Sequence, residues 1–193
     1  MRRTPIPGWD SSLADTVILV TGMPGSGKDE FINVAKEEGF LDFHMGNVVR
    51  KYFTMTGESI SDSAVGKFAS GEREKHGMDI WAVRTSRELT AGSSCVIEGL
   101  RNHEELDFFK KSFPKAVLVG IFASRSDRFT RILDRRRADD AGDLDGLMKR
   151  DERELSWGIG KLIVLSDYMI INDSDLDTFR KRSRKLIQMI RDY

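Results

Sequence analysis

The chain has 193 residues, of which 39% are hydrophobic and 32% are charged, and its 31 basic and 31 acidic residues give a net charge of zero. This length and composition favour one soluble globular domain with a substantial core. The charge balance argues against a dedicated nucleic-acid binder, which carries a basic excess, and the single cysteine excludes a disulfide within the chain.

The first 15 residues, MRRTPIPGWDSSLAD, predict an irregular extension because they contain two prolines and a glycine. No apolar segment follows the two arginines, so this stretch does not resemble a secretory signal. A single domain is expected at 16–193. Its apolar runs are too short to cross a bilayer, and a lone cysteine fits a reducing compartment. We therefore expect a cytoplasmic protein without a membrane partner.

Short apolar runs alternate with amphipathic segments along this domain. The predicted strands lie at 16–20, 41–45, 94–99, 116–123 and 167–172. Helical spacing of apolar residues predicts helices at 28–40, 47–55, 62–74, 78–90, 102–113, 127–137 and 147–156, and a last helix from about 176. This order predicts a three-layer α/β/α fold with a five-stranded parallel sheet. Ligands of such sheets bind beyond the carboxyl ends of the strands.

A glycine-rich segment, GMPGSGK, follows the first predicted strand. Glycines permit the sharp turn that points several backbone N–H groups at one phosphate, and the next helix adds its positive dipole end. The alternative is an ordinary glycine-rich turn, and the spacing does not fit a dinucleotide-binding fingerprint. We expect a nucleotide to be bound by Gly22, Met23, Pro24, Gly25, Ser26, Gly27 and Lys28, with Lys28 at its outer phosphates.

Two carboxylates are candidate magnesium ligands. Asp29 occupies the position where a phosphate-binding loop usually has a serine or threonine hydroxyl for the metal. It could bind magnesium directly, bind it through water, or only begin the helix of a weakened site. Glu98 ends the third strand, where a magnesium-orienting acid belongs, although it could instead cap the next helix. The expected cofactors are ATP and Mg²⁺.

Arginines follow three of the predicted strands, and each could also lie on a solvated helix face. They are Arg50, Arg101, Arg128, Arg131 and Arg135, followed by Arg150 and Arg153. The segment RRRADDAGD separates two helices and is polar and glycine-containing, as a mobile lid would be. We place this lid at about 135–155.

The chain resembles the nucleoside monophosphate kinase group, including adenylate kinase and dephospho-coenzyme A kinase. MGNVVR looks like the family segment G-D-x-x-R, with Asn47 replacing the acid and Arg50 retained. EGLR looks like D-G-x-x-R, so Glu98 stands for the acid and Arg101 for a second arginine that holds the acceptor's phosphate. The combination of GMPGSGKDEF, MGNVV, RDERELSWGIG and SDYMIIND looks closest to an archaeal family of P-loop proteins related to those kinases.

The resemblance also implies roles on the donor side. TRILDRR looks like the lid helix, which would place Arg131 against the adenine and Arg135 at the phosphates. SDYMIIND is similar to the last strand of dephospho-coenzyme A kinase, and the loop after Asn172 would pass near the adenine. The departures at Asp29 and Asn47 mean that the identity of the acceptor does not carry over.

Two functions follow as hypotheses. The first is a small-molecule kinase that transfers the γ-phosphoryl group of ATP to a nucleotide or coenzyme-like phosphorylated acceptor bound by helices at about 46–90. Its catalytic residues would be Lys28, Arg101, Arg131 and Arg135, and its acceptor-binding residues Asn47, Arg50, Arg101, Arg150 and Arg153. The alternative, favoured by the departures from the kinase pattern, is a nucleotide-dependent switch or assembly factor with weak ATPase activity.

Overall fold

The computed structural model describes residues 16–89, 92–135 and 143–192. The predicted extension at 1–15 and the centre of the predicted lid at 136–142 lie outside these ranges. In the part that is described, no helix is long and apolar enough to span a membrane.

Five parallel strands form one sheet, as the sequence predicts. The strands are β1 (Val17–Thr21), β2 (Leu41–His44), β3 (Cys95–Glu98), β4 (Val117–Phe122) and β5 (Tyr168–Ile171). Their order across the sheet is β2-β3-β1-β4-β5. The central strand β1 pairs with β3 and β4, so that Val20 lies opposite Glu98 on one side and Val119 on the other. All carboxyl ends therefore meet at one edge, where the phosphate loop begins.

Nine helices occur in the described ranges. They are α1 (Lys28–Glu37), α2 (Met45–Thr54), α3 (Asp62–His76), α4 (Ile80–Ser86), α5 (His103–Ser112), α6 (Arg125–Arg135), α7 (Leu144–Trp157), α8 (Ile159–Val164) and α9 (Leu176–Arg191). Helix α8 was not predicted from the sequence, because its six residues are too few to show helical spacing. Gly158, at φ 107°, ends α7 and starts α8.

The two faces of the sheet bury separate cores. Leu19 points into the core that contains Trp81 of α4 and Phe109 of α5, whereas its neighbours Ile18 and Val20 point into the core formed with α1 and α9. Every residue of β1 is buried, which explains its continuous apolar sequence. The three-layer prediction is thus confirmed.

The single cysteine belongs to one of these cores. Cys95 of β3 is 4% exposed, and burial raises the pKa of its thiol to about 12. It is a small apolar core residue rather than a reactive group.

Candidate active site

The segment between β1 and α1 forms a cradle for an anion. Gly25 and Gly27 have φ angles of 78° and 106°, which are readily adopted by glycine alone. Gly27 is the N-cap residue of α1, so the free N–H groups of the first helical turn face the loop. A helix N-terminus joined to a turn of this kind suits a phosphate group.

Side chains from two distant elements hold the backbone of this loop. Arg128 of α6 donates from Nη1 to the carbonyl oxygen of Pro24 at 2.9 Å. Asn172, which follows β5, donates from Nδ2 to the carbonyl oxygen of Ser26 at 2.9 Å. Arg131 in turn donates to the carbonyl oxygen of Asn172 at 3.1 Å. The buried Asn172 side chain and the α6 arginines therefore fix the conformation of the loop.

We predict that Gly27→Ala disrupts the loop. A Cβ atom at Gly27 would clash with Nδ2 of Asn172, and alanine rarely adopts the φ of 106° that Gly27 has. Gly39→Ala is the matched control, because Gly39 has a φ of 88° but no atom within 4 Å of its added Cβ. Backbone strain alone costs about 1–2 kcal/mol. Nucleotide affinity measured by calorimetry should fall for Gly27→Ala and remain for Gly39→Ala, and equal affinities in the two variants would contradict the prediction.

Lys28 places its ammonium group inside the loop. Nζ donates to the carbonyl oxygens of Gly22 at 2.8 Å and Met23 at 3.2 Å, and lies 3.9 Å from Oε1 of Glu98. Burial lowers the pKa of Lys28 to about 8, and the charge of Glu98 opposes this shift only in part. A phosphate beside this group would stabilise its charged form.

Glu98 connects the loop to the end of β2. Its Oε2 lies 3.5 Å from Nδ1 of His44, whose Nε2 lies 3.1 Å from Oδ2 of Asp42. Burial would raise the pKa of Glu98, but the hydrogen bond with His44 and the charges of Lys28 and Arg101 outweigh it and lower the pKa to about 2. The same contact with Glu98 raises the pKa of His44. Sequence reasoning missed this role of His44.

The alternative reading of Glu98 as a helix cap is wrong. The N-cap residue of α5 is Asn102, whose Oδ1 accepts a hydrogen bond from the backbone of Glu105 at 2.8 Å. Glu98 remains an ionised carboxylate beside Lys28. Asp29 is partly buried in the first turn of α1 and directly follows Lys28, so it lies at the same end of the loop as Lys28.

A cavity of about 110 Å³ lies between α2, α3, α7 and the end of β3. Its polar lining is dominated by guanidinium groups, from Arg50, Arg73, Arg101, Arg150 and Arg153. Four of these are arginines that the sequence analysis assigned to the acceptor. Asn47 is exposed and accepts a hydrogen bond from Arg50 at 3.0 Å. Arg131 lies instead at the loop, and the side chain of Arg135 lies outside the described part of the chain.

Helix α7 joins the cavity to the loop. Asp151 forms a two-point ion pair with Arg128, with N–O distances of 2.9 and 2.5 Å, and Arg128 also holds Pro24. One turn later, Oε2 of Glu154 lies 2.7 Å from Nε of Arg101. These two carboxylates could not be predicted from the sequence, because the stretch KRDERE also fits a solvated helix.

Comparisons with known proteins agree with this architecture. A family model described as an AAA domain matches residues 18–155. The chain is 55% identical over 171 residues to a UPF0200 protein of Thermoplasma acidophilum, covering 89% of this chain and 94% of that protein. It is 39% identical over 168 residues to a UPF0200 protein of Methanosarcina barkeri, covering 86% and 90%.

Solved structures show the fold. Shikimate kinase from Bacteroides thetaiotaomicron superposes with a TM-score of 0.62 at 14% identity, covering 90% of this chain and 98% of that one. A gluconokinase from Sinorhizobium meliloti gives 0.59 at 15% identity, covering 92% and 94%. The fold is thus that of the P-loop kinases, and the family matches settle membership: this chain belongs to the UPF0200 family of AAA-domain, P-loop kinase-like proteins.

Proposed function

We propose that this protein is a small-molecule kinase that transfers the γ-phosphoryl group of ATP to a phosphorylated acceptor of nucleotide or coenzyme-like type. One observation carries the proposal: the end of β3 borders both the phosphate loop and the arginine-lined cavity. Glu98 contacts Lys28 of the phosphate loop, whereas Gly99 and Arg101 line the arginine cavity. Two phosphorylated ligands bound there would meet at the end of this strand.

The donor side suits a nucleotide phosphate. The positive-φ glycines, the N-terminus of α1 and the buried Lys28 supply fixed dipoles and one charge. Magnesium would be held by Glu98, which stays ionised, and by Asp29, directly or through water, since both offer the hard oxygen atoms that it prefers. When bound, the ion neutralises charge on the phosphates.

The acceptor side suits a phosphate ester. Arg50, Arg101, Arg150 and Arg153 line the cavity, and guanidinium groups bind phosphate in two-point fashion. Phosphoryl transfer requires positioning and charge neutralisation more than covalent chemistry. Arg131, which lies at the loop, and Arg135 would bind the donor. A closed lid would exclude water so that the phosphoryl group reaches the acceptor. Shikimate kinase and gluconokinase are kinases of small molecules by name and share this fold, which supports the proposal.

The test is a panel of nucleoside monophosphates and dephospho-coenzyme A, each incubated with ATP and Mg²⁺. ADP, inorganic phosphate and phosphorylated acceptor are measured separately, and GTP is run in parallel. We expect one acceptor to stimulate ADP formation and to appear as its phosphorylated product in equal amount. If ATP turns over at the same rate with and without every acceptor and yields inorganic phosphate, the protein is an ATPase, as a nucleotide-dependent switch would be, and the kinase proposal fails.

A further inference from the structure

The cavity contains a buried arginine that the predicted acceptor set does not include. Arg73 lies on α3, is 4% exposed and lines the cavity. Its Nη2 donates to Oε1 of Glu105 at 2.9 Å. Within the described ranges, its buried Nε and Nη1 have no hydrogen-bond partner. Leaving buried guanidinium donors unpaired costs free energy. These two nitrogens therefore indicate that the cavity binds a ligand.

The surroundings of Arg73 fix its position. Glu105 is fully buried and uses its other oxygen, Oε2, to accept a hydrogen bond from the backbone N–H of Arg101 at 2.7 Å. The Arg73 guanidinium carbon lies 5.0 Å from the ring centre of Trp157, and that of Arg153 lies 5.6 Å from the same ring. Because a carboxylate and an indole both hold it, the guanidinium is pre-organised for a ligand.

The cavity is small and Arg73 shares it with four other arginines. Those four are the arginines that would hold the phosphate of the acceptor: Arg50, Arg101, Arg150 and Arg153. The volume of about 110 Å³ is below the roughly 300–1,000 Å³ of pockets that enclose drug-sized ligands. The cavity therefore encloses only a compact part of the acceptor, and an anionic group at Arg73 would lie close to the phosphate.

We propose that Arg73 forms a second anion-binding subsite, which holds a carboxylate or phosphate of the acceptor other than the phosphate that receives the phosphoryl group. This inference rests on the proposed kinase function for its role in catalysis. The binding of a compact molecule with two anionic groups, however, depends on the cavity alone. Arg73 is a specificity residue in this scheme, because an acceptor with one anionic group leaves its donors unpaired.

The test compares three probes that share a three-carbon frame: glycerol 3-phosphate, glycerate 3-phosphate and propane-1,3-diol bisphosphate. Calorimetric titrations are run with Mg²⁺ and a saturating ATP analogue whose γ-phosphoryl group cannot be transferred. We expect the two probes with a second anionic group to bind at least about tenfold more tightly than glycerol 3-phosphate, as one charge-assisted hydrogen bond provides. Which of the two binds better identifies the second group as a carboxylate or a phosphate.

Arg73→Lys is the main variant, because it keeps a cation beside Glu105 while removing the Nε and Nη1 donors. We expect it to lose the tenfold preference and to bind glycerol 3-phosphate almost as the wild type does. Arg84→Lys is the matched control. Arg84 also pairs with a carboxylate, Glu72, at 2.6 Å and stacks on aromatic rings, but it is not among the residues that line the cavity.

Two results would overturn the subsite: equal affinity of the wild type for all three probes, or a preference that survives in Arg73→Lys. The kinase proposal is judged separately. Transfer to an acceptor with one anionic group, at full rate in Arg73→Lys, would overturn the subsite and leave the kinase standing. An Arg73-dependent preference without any phosphoryl transfer would overturn the kinase proposal and leave the subsite standing.

Discussion

Replacing Lys28 by methionine is expected to lower nucleotide turnover by about a hundredfold or more, the usual effect of removing one pre-organised group that stabilises transition-state charge. Nζ of Lys28 is the buried cation of the phosphate loop and lies between two loop carbonyls and Glu98. Methionine keeps the length and the apolar stem of the side chain but carries no charge. The measurement is kcat/KM for ATP, with nucleotide affinity by calorimetry.

The stability of the same variant distinguishes lost chemistry from lost folding. Burial lowers the pKa of Lys28 from 10.5 to about 8, so between these pH values the unfolded chain binds the proton more than the folded chain does. The free energy of unfolding of the wild type should therefore rise with pH between about 8 and 10.5. Lys28→Met should lack this rise and should be at least as stable as the wild type at pH 7.

The control for both measurements is Lys181→Met, since Lys181 is exposed on α9. It should leave turnover and the pH dependence of stability unchanged. Unimpaired turnover in Lys28→Met would show that the loop does not act on a phosphate. A large drop in its stability at pH 7 would show that the charged Lys28 holds the loop together, contrary to the direction of its pKa shift.

The loop and the strand ends could be predicted because their signals are local in sequence. GMPGSGK lies within seven residues between a strand and a helix, and the order of elements forces the carboxyl ends of parallel strands to one edge. Arg50 and Arg101 follow two neighbouring strands, so their convergence on one cavity follows from the sheet order. These parts of the site could therefore be predicted without knowing how the side chains pack.

The missed parts depend on partners far apart in the chain. Arg73 and Glu105 are 32 residues apart, and Arg128 lies 104 residues from the Pro24 carbonyl that it binds. An arginine in a charged helix is predicted to be solvent-exposed unless the residue that buries it is known. The fold buries one residue of the stretch GEREKH, Arg73, and two of the stretch KRDERE, Asp151 and Glu154. No periodicity separates these from their exposed neighbours.

The position of Asp151 connects α7 to both the phosphate loop and the arginine-lined cavity. Its neighbour Arg150 lines the cavity, while Asp151 itself contacts Arg128, which binds the Pro24 carbonyl of the loop. In the proposed kinase, a ligand that shifts α7 at the cavity would therefore also act on this carbonyl. The buried ion pair between Arg128 and Asp151 joins α7 to the loop, so its loss would affect both folding and binding.

Breaking this ion pair should be the most destabilising of the changes considered. Arg128 and Asp151 are 5% and 7% exposed, and removing one partner of a buried pair costs about 3–5 kcal/mol because the other charge is left unpaired. We therefore expect Arg128→Met to lower the free energy of unfolding by about that amount in urea denaturation. The double variant Arg128→Met, Asp151→Leu should recover much of the loss, because no buried charge remains.

Nucleotide binding should separate the two roles of Arg128. The double variant still lacks the donor to the Pro24 carbonyl, so we expect its nucleotide affinity to stay below that of the wild type even where its stability is restored. Lys149→Met is the control, because Lys149 forms an ion pair with Asp145 on the same helix and both side chains are more than 70% exposed, at 73% and 72%. Losing that exposed pair should cost no more than about 0.5 kcal/mol. If Arg128→Met costs no more than Lys149→Met, the pair is solvated and α7 does not connect the two sites.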